Sequence, residues 1–461
     1  MVEACPRPVK AASNVSVSRS QAAPKNHAAV VLLQSALLQA VQQALHTEET
    51  EGLLLALIGA ESLDASEATW MKLRRAIVEA MTQAYYDRIT GYAGSRLRCR
   101  CGRQARFVRY AAKRTTLLFG EVTLRRAEYA CPSCGSVRPL DTSWDLPRGR
   151  YSRAVVRLVS RVGAELPFAR AAEALGQVAG LSVSATEVRT LCERVGEKLG
   201  EQKAAEAEAA EKGELRPPPA ADVLIVAADG AHVNTREESW KETKVAVAVR
   251  CARSIGAEGP GPLKAQRTEY TAHLGSADAF ERQLYWLACR QGERGQEATL
   301  FLGDGSPWIW NLADTLFPHA QKLLDFYHLA EHVHQAAKEL YGEGSEAASR
   351  WAEATLSRLR AGEVEAVLAA LPAQDAPEPL RKLAHYLQAN RSRMDYPAFE
   401  QAGYPIGSGI VESGCKQVVH ARHRQAGMRW GKAHVQKMLD LVTCLRSHRW
   451  EAFWATKPAV A

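Results

Sequence analysis

Three acidic residues carry the chemistry this sequence offers. "DVLIVAADG" ends in Asp229 and Gly230, and "EATLFLGDG" ends in Asp304 and Gly305. In open α/β sheets, ligands bind beyond the strand ends. An acid there is held by a buried strand while its carboxylate faces solvent, and the following glycine lets the backbone turn without steric cost. Taken alone, either Asp-Gly is most often a turn. Glu412, in "YPIGSGIVESGCKQVVHARHRQ", taken alone is a surface glutamate. Together the three are hard oxygen donors of the kind that bind Mg2+, or Mn2+ in its place. Two such ions about 3.5–4 Å apart activate a water or 3′-hydroxyl and stabilise the leaving oxygen in phosphodiester transfer. Asp325 ends a further apolar run, "AQKLLDF", and is the alternative second acid.

Glu412 heads a basic segment: between residues 412 and 432 it is the only acid beside five Lys/Arg. Lys416, His420 and Arg424 follow it at steps of four and so are expected on its face of a helix. With Arg422 they form an expected phosphate-binding surface. Trp430, in "GMRWGK", stands between base stacking and core packing. Trp308 and Trp310 read as core. His328 and His332 lie at i and i+4 in "DFYHLAEHVH", but Leu329 occupies the position where a metalloprotease needs glutamate, so that chemistry is rejected. His328 is then a packed helix-start histidine or a contact to phosphate or the attacking water.

A second chemistry lies upstream. Cys99 and Cys101 form C-x-C, Cys131 and Cys134 form C-x-x-C, and a glycine follows each pair. Four thiolates on two short turns can converge as a tetrahedral structural Zn2+ site. Ten Lys/Arg and one acid between Arg96 and Arg126 suit a zinc ribbon that touches phosphates. The other six cysteines are isolated.

These residues need elements to hold them. The chain has 461 residues, 46% hydrophobic and 24% charged, with a formal net charge of +8. That is the composition of a globular protein of several domains with a modest basic excess. No continuous apolar run reaches the roughly 18–20 residues that span a bilayer, and no secretory signal is evident, so a cytoplasmic protein with reduced thiols and no membrane partner is expected. Residues 1–27 read as a disordered tail and 28–92 as a helical region. The ribbon covers 93–145, and 150–200 reads as a helix-turn-helix-like module, with Ser184 and Glu187 as a capping box. The stretch 201–221, an Ala/Glu helix running into prolines, reads as a linker. Residues 222–450 then run as three strands, a helix, a strand, a helix and a strand, with a helical segment 330–400 before the basic helix.

The order acid, acid, late glutamate resembles the RNase H-like core of DDE transposases. "DGAHVNTREESWKETKV", "FLGDGSPWIW", "LLDFYHLAEHV" and "YPIGSGIVESGCKQVVHARHRQAGMRW" look like the insertion-sequence transposases of the ISKra family, with the related ISL-type and Mutator-like groups. The likeness covers about residues 95–450. It implies an α/β RNase H-like catalytic core with a helical insertion. Asp229, Asp304 and Glu412 would be the Mg2+ ligands, spaced 304 − 229 = 75 and 412 − 304 = 108 residues. It further implies cleavage and joining of double-stranded DNA at element ends and target, by a homo-oligomer on DNA and without a covalent protein–DNA intermediate. A structure-selective nuclease on the same core and a DNA-binding regulator with an inactive core are the alternatives.

Overall fold

The computed structural model describes residues 23–461, apart from 217, 219–220, 257–258, 294–297, 372–376, 408, 457, 459 and 461. Most of the expected tail, residues 1–22, lies outside them. The chain divides into two compact units, Met1–Val155 and Val156–Val460.

In the first unit, helices α1 (Ala23–Leu45), α2 (Glu48–Ile58) and α3 (Leu63–Asp87) precede an antiparallel four-stranded sheet. Its strands are β1 (Arg96–Arg98), β2 (Gln104–Leu117), β3 (Gly120–Cys131) and β4 (Gly135–Val137), in that spatial order, and a short helix α4 (Pro139–Ser143) follows. The helices and the ribbon belong together. Gln83 on α3 donates to the Thr123 carbonyl and accepts from the Thr123 N–H, closing a two-bond clamp onto β3. Within α1, Ala28–Leu45 is long and apolar enough to cross a membrane by length and composition. Its polar residues are uncharged, which is why it passes that test although glutamines interrupt every apolar run.

The second unit opens with α5 (Arg153–Glu165), α6 (Phe168–Ala179) and α7 (Ala185–Glu211). Ser184 caps α7 and Glu187 bonds back to the Ser184 N–H, the expected capping box. The stretch expected to be a linker is corrected here: residues 201–211 are the end of α7. They pack into the unit, with Lys203 paired to Asp440 in the interior and Glu206 accepting from Trp286 and Arg290. The Ala/Glu composition marked a helix, and Lys203, Ala207 and Ala210, at helical spacing along it, are buried.

The large sheet holds β5 (Val223–Thr235), β6 (Ser239–Gly256), β7 (Gly259–Leu274), β8 (Thr299–Gly303) and β9 (Gln321–Leu324), in the order β7-β6-β5-β8-β9. β5, β6 and β7 are antiparallel; β8 and β9 join parallel on the other side of β5. Helices α8 (Ala277–Arg290) and α9 (Pro307–Leu316) connect these strands. β5 and β8 are buried along their shared length, as strands covered on both faces must be. A helical run follows: α10 (Phe326–Tyr341), α11 (Glu346–Arg360), α12 (Val364–Ala370), α13 (Glu378–Asn390) and α14 (Tyr396–Gln401). Then come α15 (Gly409–Gly414), a π-helical turn (Cys415–His420), α16 (Ala421–His423), α17 (Lys432–Arg446) and α18 (Trp450–Ala455).

Candidate functional site

β5 does not stop at Asp229 as the sequence reading expects. It continues to Thr235, because β6 pairs with it along its whole length, Asp229 facing Val245. What stops is its parallel partner: the last β5–β8 pair is Ala227 with Leu302. That register has an offset of 302 − 227 = 75. Carried two residues on, it sets Asp229 against Asp304, since 304 − 229 is also 75. The β8–β9 register ends at Gly303 with Leu324, an offset of 21. One residue further it sets Asp304 against Asp325, and the Asp325 N–H bonds the Gly303 carbonyl at 2.9 Å. In-register neighbours on parallel strands share a face. The three aspartates therefore follow the ends of adjacent strands, near enough for Asp304 to act on Asp229 and for all three to act on His328.

Each is held differently. Asp229 accepts from its neighbour's N–H at Gly230 (2.6 Å) and from the Cys415 thiol (3.3 Å). Asp304 accepts from the Ser306 N–H (2.8 Å) and hydroxyl (3.1 Å), and its carbonyl accepts from the Tyr386 hydroxyl (2.8 Å). Asp325 is fully buried at the start of α10, where it accepts from the Tyr327 N–H (2.7 Å) and from His328 Nδ1 (2.8 Å). Burial raises the Asp229 carboxyl above its ordinary range, and the Asp304 charge adds to the rise against the Cys415 and Gly230 hydrogen bonds. The Asp325 hydrogen bond, helped by Asp304 and Asp229, pushes His328 up to about 9 although burial opposes it. The His328 shift records the neighbouring carboxylates, whereas the Asp229 shift records mainly its burial.

Glu412 sits on α15 one turn before Cys415, so its helix is tied to Asp229. The tight ligand set that includes it is not the expected one. Among the described residues, the acid-bearing group whose ligand atoms all lie within 4.8 Å is Asp325, His328 and Glu412. Asp229 and Asp304 are outside that tight set. Sequence reasoning left Asp325 and His328 open, and it passed over Cys415, which was counted among the isolated cysteines. The signal available was spacing alone, three residues after Glu412.

The basic face is partly as expected. Lys416 and Arg424 are exposed, and His420, partly buried, approaches Arg424 at 3.1 Å. Arg424 also lies over the exposed ring of Trp240 on the β5–β6 hairpin, a contact no local pattern announced. Two expected DNA-facing residues are corrected. Arg422 is 2% exposed; its Nε donates to the Gly163 carbonyl, and its guanidinium lies over Phe168 and Trp430. Trp430 is buried, bridged to Thr235 at the end of β5, with its indole N–H bonded to the His423 carbonyl. The π turn explains the split. An α-helix rotates about 100° per residue, and a π bulge absorbs about one residue. Counting nine effective steps from Glu412 puts Arg422 roughly 180° away, while eleven bring Arg424 back to the same side.

In the first unit, the four sulfurs of Cys99, Cys101, Cys131 and Cys134 lie within 4.8 Å of one another, with Cys101 and Cys131 at 3.5 Å. The glycines after the pairs, Gly102 and Gly135, have φ of 85° and 69°, the left-handed turns that fold each pair back on itself. Backbone N–H groups of Cys134 and Ser133 lower the Cys131 thiol to about 7. Such a cluster can hold a metal ion, and its all-sulfur donor set suits zinc.

The model of the Uncharacterised protein family (UPF0236) matches residues 96–373, more than half of the chain. The chain belongs to UPF0236. The region matched to UPF0236 takes in the cysteine cluster, Asp229, Asp304, Asp325 and His328, and ends before Glu412. No curated protein matches the sequence.

Proposed function

We propose that this UPF0236 member is a cytoplasmic DNA transposase with an RNase H-like catalytic core. The strand-end acids Asp229, Asp304 and Asp325, with Glu412 on a helix tied to Asp229, carry this reading. The strand order supports it: an antiparallel β5–β6–β7 meander, then β8 and β9 parallel beside β5, is the arrangement expected of an RNase H-like sheet. Asp229, Asp304 and Glu412 would hold Mg2+ or Mn2+, and their oxygen donors fit a divalent cation. When bound, such ions activate the attacking oxygen and stabilise the leaving one. Lys416 and Arg424 hold the phosphate backbone leading to the acids. Cys415 and Ser306 restrain the carboxylates of Asp229 and Asp304 by hydrogen bonds. The cysteine cluster would hold structural Zn2+ and, with its arginines, bind the element's terminal inverted repeats as part of an oligomer.

The test uses linear DNA bearing both flanks of the protein's own coding sequence, with Mg2+ or Mn2+. Cleavage to free 3′-hydroxyl ends followed by joining to a second duplex is the expected result. Cleavage without joining would leave a nuclease, and binding alone a DNA-binding regulator.

A further inference from the structure

We propose that the cation site includes an imidazole ligand, His328, oriented by the buried carboxylate of Asp325 and completed by Glu412. This deepens the transposase reading by assigning a donor to the same site, but it rests on separate geometry. His328 Nδ1 lies 2.8 Å from Asp325 Oδ2, and the other Asp325 oxygen accepts from the Tyr327 N–H at 2.7 Å. Asp325 is wholly enclosed, so it serves better as an anchor than as an outward ligand. With Nδ1 turned to Asp325, Nε2 is the ring nitrogen left to meet a cation, which must displace the Nε2 proton to bind there. A carboxylate that fixes the tautomer and angle of a ligating histidine is the usual support for a metal-bound imidazole.

Three features hold the helix that carries the ring. Asp325 is the N-cap of α10, so the first turn of that helix holds the histidine's backbone. One turn on, His332 stacks on Tyr386 at 3.9 Å between ring centres. Tyr386 donates to the Asp304 carbonyl, which links α10 through α13 to the β8 acid. The side chain of His328 remains 24% exposed, enough to meet an ion or a phosphate from solvent. Glu412 brings a carboxylate within 4.8 Å of both Asp325 and His328. A nitrogen–oxygen donor set discriminates among divalent ions. Imidazole suits Mn2+ less than it suits Zn2+ or Co2+, yet all three accept it more readily than Mg2+, which holds to oxygen and water. The site is therefore expected to take Mn2+ or Co2+ in preference to Mg2+.

The experiment loads the full chain, with its cysteine cluster occupied by zinc, with Mn2+ and no DNA. Pulsed electron paramagnetic resonance then reads whether a nitrogen-14 nucleus is directly coupled to the manganese. Nitrogen coupling is expected in the native protein. It should vanish in His328→Ala and persist in His334→Ala, a control on the same helix. Asp325→Asn should weaken Mn2+ binding about 10- to 100-fold, the range for losing a ligand's supporting partner. Circular dichroism and zinc content confirm that each variant is folded. An oxygen-only manganese signal overturns the proposal. So does nitrogen coupling that survives His328→Ala, or no bound Mn2+ at millimolar concentration. None of these readouts involves DNA. A protein with nitrogen-coupled Mn2+ that never cuts or joins DNA would keep this inference and lose the transposase reading; a strand-transferring enzyme with an oxygen-only site would do the reverse.

Discussion

Replacing Arg422 by alanine separates packing from DNA contact. Its guanidinium carbon lies 4.6 Å from the Phe168 ring centre and 4.9 Å from that of Trp430. Its Nε bonds the Gly163 carbonyl at 3.0 Å, and burial lowers its pKa to about 10. Two desolvated cation–π contacts are worth about 1–2 kcal/mol each. A hydrogen bond from a charged donor adds about 1.5–3 kcal/mol. Removing the charge returns part of its desolvation cost, several kcal/mol for an ion in the interior. The side chain also leaves a cavity and an orphaned carbonyl, which costs about 1–3 kcal/mol. The balance is a loss of about 3 kcal/mol. The assay is chemical denaturation, paired with the salt dependence of duplex DNA binding measured on folded protein. Arg422→Ala should lose that stability and keep the native salt slope. Lys416→Ala should keep the stability and flatten the slope by about 0.9, the value of one phosphate contact. If Arg422→Ala were fully stable but flattened the slope, Arg422 would be reaching phosphate and its burial against Phe168 would be wrong.

Among the acids, Asp304→Asn and Glu412→Gln should abolish metal-dependent cleavage while leaving DNA binding intact, and Asp325→Asn should retain a reduced rate; a reversed ranking of Asp304 and Asp325 in a cleavage assay would reassign the second acid. Elemental analysis of purified protein should find one zinc per chain, lost in Cys131→Ser, and retention of zinc in that variant would exclude the four-sulfur site. Gly196→Ala should destabilise the second unit by about 1–3 kcal/mol in denaturant titration, because a Cβ there would meet the Lys437 carbonyl oxygen of α17 at 2.0 Å; a neutral result would mean that α7 and α17 do not pack so closely.

Several elements were legible before folding because their causes are local. The capping box at Ser184 and Glu187 involves residues three apart. The cysteine pairs needed only their spacing and glycines to announce a shared site, and the strand and helix order of 222–400 followed from periodicity. What the fold alone decided is non-local. Whether Asp229 ends a strand depends on which neighbour is counted: β6 runs past it and β8 does not. The alignment of Asp229, Asp304 and Asp325 is a matter of inter-strand register, which depends on pairings between segments 75 and 21 residues apart. After Glu412 the steps of four kept Lys416 and Arg424 outside as expected, but the burial of Arg422 against Phe168 and Trp430 was invisible to any local pattern. The Ala/Glu stretch became part of α7 because α17 and α8 offered it a surface, through Asp440 and Arg290. The sequence by itself therefore determined which chemical groups this protein has and which local turns they sit on. Only the tertiary structure decided which of them meet, because register, helix rotation and burial are set by contacts between residues far apart in the chain.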